Sequence, residues 1–144
     1  MTPTVPELLA GCAAALSKPV RDEEGNLFAA SRQLTVATIN TLLAQECASG
    51  TAVRVWENAA LRACLVEAAP RHGVDFSEAR TVSDGDLSLA ALDEANAKLR
   101  RLLIRLHEAA EAAADRALDC RILTLYREMA GRRELKLPAA RPAK

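Results

Sequence analysis

Apolar residues recur every three or four positions along most of the chain, the period of a helix with one buried face. The first such run holds Leu8, Leu9, Cys12, Ala15 and Leu16. Thr4-Val5-Pro6-Glu7 opens it in the form of a capping box, and Pro19 closes it. The spacing predicts a helix over 5–18, followed by a solvated turn at the acidic stretch from Arg21 to Gly25. A second helix is expected over 27–48 on Leu27, Ala30, Leu34, Ala37, Leu42 and Ala44, with Gly50 as its stop. Its Thr35, Val36, Thr38, Ile39 and Thr41 are β-branched and lower intrinsic helicity. No strand partner of similar character lies nearby, so packing is expected to keep this segment helical.

Thr51 is placed to cap a third helix built on Val55, Ala59, Ala60, Leu61, Cys64, Leu65 and Ala68 and ended by Pro70. Residues 70–87 read as the one long loop, anchored only by Val74, Phe76 and Val82. From Ser88 to Ala130 there is neither glycine nor proline. At ~100° per residue Leu92, Ala95, Leu99, Leu102, Leu106, Ala109 and Ala113 share one stripe, whereas Leu118, Ile122, Leu125 and Met129 lie about 130° around from it. A break near Asp115, which can cap a new helix, is favoured over one long helix with two faces. Gly131 is expected to end the last helix. The fold class is therefore all-α, an antiparallel bundle of four to five helices over 1–130, with a basic tail over 131–144.

Composition supports this picture and narrows the function. Half of the 144 residues are apolar and 26% are charged, as in ordinary globular domains. Aromatics are 3%, too few for base-stacking platforms, and Lys+Arg balance Asp+Glu at 19 each, so nucleic acid is not favoured as a partner. Neither a signal peptide nor a bilayer-length apolar run is visible, so no membrane partner is expected. Cys12, Cys47, Cys64 and Cys120 form no Cys-x-x-Cys pair and sit in helical patterns, which points to reduced thiols and a cytoplasmic setting.

The most unusual feature is an echo. Asn58-Ala-Ala-Leu61-Arg62-Ala-Cys-Leu65 recurs as Asn96-Ala-Lys-Leu99-Arg100-Arg-Leu-Leu103, 38 residues later. Each asparagine falls in line with an apolar helical stripe, where a polar amide is costly unless paired and is best known for fixing register or partner number. Trp56, the sole indole, stands just before the first copy. Trp56, Asn58, Leu61, Leu65, Asn96, Leu99 and Leu103 are accordingly the candidate interface of a homodimer, and Asn96→Leu is expected to raise thermal stability while scrambling oligomer number. Arg100, Arg101, Arg105, Arg132 and Arg133 form a candidate basic patch, weighed against a plain solvated face.

Catalytic and metal motifs are weak. His107 and Glu111 are spaced i,i+4, but neither Glu-x-x-His nor His-Glu-x-x-His occurs, and a surface hydrogen bond is the simpler reading. No catalytic residue, no cofactor and no metal is assigned, and an enzyme is not the favoured reading. Abundant alanine buries little area per residue, which leaves a monomeric core marginal.

Over residues 7–46, Glu7-Leu8-Leu9, Gly25-Asn26-Leu27-Phe28, Arg32 and Ala44-Gln45-Glu46 resemble an uncharacterised bacterial helical domain found beside acyl-CoA dehydrogenases and aminoglycoside-phosphotransferase-like kinases. The Phe-His-x-Arg segment of that family lacks its histidine here. The resemblance implies an accessory role near acyl-CoA or phosphotransfer chemistry, with no catalytic residue to carry over. The leading expectation is a non-catalytic interaction or assembly module that associates with itself and with protein partners. The alternative is an accessory protein binding a small ligand or cofactor, acyl-CoA- or nucleotide-linked, in a pocket near the 70–87 loop.

Overall fold

A computed structural model of the chain describes residues 5–17, 27–82 and 85–137. Every regular element among them is helical: α1 (Val5–Leu16), α2 (Leu27–Ala68), a 3-10 turn (Ala69–His72), α3 (Ser77–Thr81), α4 (Leu89–Ala112) and α5 (Arg116–Arg132). The chain is an all-α helical bundle, as the periodicity predicts. The expected cap at Thr4, the stop at Pro19, the turn from Arg21 to Gly25, Ser83, Asp84 and the tail beyond residue 137 lie outside the described residues.

Two expectations are corrected. Gly50 does not stop a helix and Thr51 does not start one, because α2 runs unbroken from Leu27 to Ala68. A glycine inside a helix costs only about 1 kcal/mol against alanine, and it ends a helix where it adopts the left-handed conformation rather than by its mere presence. The β-branched threonines are accommodated in α2 with their hydroxyls turned back on their own backbone. Thr35, Thr38 and Thr41 Oγ1 donate to the carbonyls of Ser31, Leu34 and Ala37 at 2.9–3.0 Å. The segment 70–87 is also not one long loop. Pro70 sits in the first positions of the 3-10 turn, Gly73 closes it at φ 65°, and Asp75 accepts from the Ser77 backbone N–H at the head of α3.

The chain divides into two compact units, residues 50–134 and residues 1–49 with 135–144. The first of these holds the main core. Leu61, Leu65, Leu99, Leu103, Leu106, Ile122 and Met129 are all fully buried, and Val74, Phe76 and Val82 pack against that core as the expected anchors.

The break near Asp115 is present, and its construction is clear. The Asp115 N–H donates to Ala110 O at 2.9 Å and the Ala114 N–H to Glu111 O at 3.0 Å, a Schellman ending in which Ala114 holds the left-handed position at φ 53°. Asp115 then caps α5, its Oδ1 accepting from the Leu118 N–H at 3.1 Å. A turn this short makes α4 and α5 antiparallel neighbours.

The other unit is much thinner. It consists of α1, the first part of α2 and the segment after residue 134, and its buried apolar residues among those described are Ala13 and Ala37. A groove of about 620 Å³ runs between α1 and α2, bordered by Ala10, Ala13, Ala14, Thr41, Ala44 and Ala48. Gln45 holds the returning segment at both ends of its amide. Nε2 donates to Lys136 O and Oε1 accepts from the Lys136 N–H, each at 2.8 Å.

Candidate functional site

The two echo asparagines meet inside one chain. Asn96 Nδ2 donates to Asn58 Oδ1 and to Glu57 Oε2, both at 3.0 Å, and Asn58 Nδ2 donates to Leu92 O at 3.3 Å. Arg133 completes the cluster from beyond the end of α5. Its Nε and Nη2 clamp the Glu57 carboxylate at 2.7 Å each, and Nη2 also reaches Asn96 Oδ1 at 3.3 Å. Glu57 is fully buried, so its charge is neutralised by the fork geometry that only arginine supplies. Beside it, Arg54 Nε donates to Asp93 Oδ1 at 2.7 Å.

This arrangement relocates the candidate interface. Asn58, Leu61, Leu65, Asn96, Leu99 and Leu103 lie within the interior of residues 50–134 and offer no outward surface to a second copy. Corresponding residues of the repeated frame line the same core, and the polar pair sets their register within the chain. Trp56 is half-buried, with the Arg132 guanidinium stacked 3.9 Å over its ring. The basic patch is likewise divided. Arg100, Arg101 and Arg105 are exposed, whereas Arg133 is committed to Glu57 and Arg132 to Trp56. Glu57 and Arg133 are members of the cluster that the echo did not reveal, since the second copy has Ala95 where the first has Glu57.

Both histidines pair with acids at the α4–α5 turn. His72 Nε2 lies 3.1 Å from Asp115 Oδ2. The Asp115 carboxyl is held below its ordinary range, first by the Leu118 N–H and then by this histidine. His107 Nε2 lies 2.8 Å from Asp119 Oδ1 and 4.0 Å from Glu111 Oε1. The Tyr126 ring packs on the His107 imidazole at 5.8 Å between centroids, and burial pushes the Tyr126 hydroxyl up. The Asp119 partner could not be seen in the sequence, because it arrives across the turn rather than along a helix face. On the same side, Arg121 forks onto Glu67, and the Cys64 thiol between these elements is pushed up chiefly by burial.

Near the 70–87 segment, α3 and α4 enclose a cleft of about 330 Å³ bordered by Glu78, Val82, Ala91, Glu94 and Lys98. In its lining the Lys98 ammonium is paired with Glu94 at 2.8 Å. Among the described residues, no helix is long and apolar enough to cross a membrane. Set beside known proteins, the chain matches no family model, no curated sequence and no solved structure.

Proposed function

We propose that this protein is a non-catalytic helical assembly module that associates with a second copy of itself through α1 and the first part of α2. The observation that carries this reading is the imbalance of that unit. Among the described residues its fully buried apolar side chains are Ala13 and Ala37, and Leu9, Leu16 and Leu42 are half-buried, while Val36, Ile39 and Leu43 on α2 are each 46–49% exposed and Val5 and Leu8 on α1 more so. At ~100° per residue, Val36, Ile39 and Leu43 fall within about 60° of one another and about 135° from the alanine face that borders α1. The helix α1 therefore cannot cover them. Alanines and half-buried leucines bury little apolar area against the ordering of two helices, whereas covering the exposed half of each larger side chain contributes on the order of 1 kcal/mol. A two-fold pairing of this face with itself supplies the missing layer without any new sequence. Cys64 in the apolar core suits a reducing compartment, and we place the protein in the cytoplasm on that basis.

Size-exclusion chromatography with light scattering is the direct test. The chain is expected at twice its 15.4 kDa mass at micromolar concentration, and Ile39→Lys with Leu43→Lys is expected to return it to the single mass with its helical circular dichroism retained. A wild-type chain of single mass overturns the reading, as does an unchanged double mass in the lysine variant.

A further inference from the structure

We propose that His107, Glu111 and Asp119 form a binding site for a divalent transition-metal ion, zinc in first place, which staples the end of α4 to the start of α5. His107 and Glu111 stand i,i+4 on one face of α4, and the Schellman turn at Ala113–Asp115 brings the first turn of α5 back over that face. One ligand atom from each residue then lies within 4.8 Å of the other two.

These separations suit a small ion. With metal–ligand distances of about 2.0–2.2 Å, neighbouring ligand atoms in a tetrahedral zinc site stand about 3.3–3.6 Å apart. His107 Nε2 and Asp119 Oδ1, at 2.8 Å, have to open by about half an ångström. Glu111 Oε1, at 4.0 Å from the nitrogen, has to close by about as much. Its side chain is 65% exposed and can make that rotamer change freely.

The electrostatics point the same way. Two carboxylates converge on a single imidazole nitrogen, which carries at most one proton and can satisfy only one of them. A divalent cation satisfies all three groups, and the two carboxylates cancel its charge. Tyr126 packs on the His107 ring and holds it toward the carboxylates. The solvent side, where Glu111 stands, leaves a fourth position for water. One imidazole with two carboxylates favours a borderline ion such as zinc over magnesium or calcium, which take oxygen ligands in larger number. Binding requires neutral imidazole and ionised carboxylates, so affinity is expected to fall on acidification.

The experiment uses the full chain without a histidine tag, with the exposed Cys12, Cys47 and Cys120 each changed to Ser so that thiols do not compete. Calorimetric titration with zinc chloride is expected to show one ion per chain and a raised Tm, with millimolar magnesium unable to compete. Glu111→Gln, on an exposed side chain, and Asp119→Asn are each expected to weaken binding by at least about tenfold while leaving the circular dichroism unchanged. Absence of zinc binding at 100 μM zinc, or binding that both substitutions leave untouched, overturns the site. Zinc bound only when the three cysteines are present overturns it equally, by assigning the ion to thiolates.

Discussion

Asn96 donates to two acceptors and accepts from Arg133, all in the interior of residues 50–134. The sign expected for Asn96→Leu from the sequence is therefore reversed. A leucine there removes the amide that donates to both Asn58 Oδ1 and Glu57 Oε2 and that accepts from Arg133. Stability is expected to drop by about 2–3 kcal/mol, read as a lowered urea midpoint with an unchanged m-value. A midpoint that rises would show that the cluster is dispensable. The asparagine's importance was legible in its place on an apolar stripe, but its partner was not. A single sequence cannot say whether Asn58 meets Asn96 of its own chain or of another, and Arg133, placed in the tail by composition, gave no sign of serving an acid 76 residues away. The candidate metal ligand Asp119 was hidden for a related reason, since helical spacing relates residues along one face and not across a turn.

At the scale of elements, boundaries marked by a required backbone conformation were readable, and boundaries marked only by a propensity were not. Asp115 had to accept a backbone donor and did so where expected, whereas Gly50 only lowered helicity slightly and was overridden. Long stretches of α2 are tied by threonine and serine hydroxyls to carbonyls four residues back, a device that spacing of apolar residues does not display. The α4–α5 turn is unusual in placing alanine where glycine is the common choice. Ala114 is exposed and sits at φ 53°, so its Cβ bears the strain of the left-handed region. Ala114→Gly is expected to raise stability by about 0.5–1 kcal/mol, the relief of strain exceeding the added freedom of the unfolded chain. Thermal or urea unfolding decides it, and a destabilised variant would mean that the turn is not strained as its torsion implies.

At the scale of the whole molecule, stability is unevenly distributed. Residues 50–134 hold the leucine core and the buried ion clamp, and the described residues of the other unit fully bury only alanines among their apolar side chains, with Gln45 tethering the backbone at Lys136. Hydrogen exchange, measured on the Ile39→Lys, Leu43→Lys variant so that self-association does not protect the amides, is expected to show α1 exchanging at least about 100-fold faster than the middle of α4. Equal protection in the two would mean one cooperative unit. Composition had indicated a marginal core for the chain as a whole; the structure concentrates that weakness in one part, where Val5, Leu8, Leu34, Val36, Ile39 and Leu43 are exposed.

The grip of Gln45 on Lys136 also constrains the order in which a newly made chain can mature. A ribosome delivers Gln45 long before its peptide partner, and everything needed for the leucine core emerges in the interval. Until then the Gln45 amide can still bond within its own helix, through Thr41 O at 3.4 Å, so the strap between residues 45 and 136 closes only after residues 50–134 have been made.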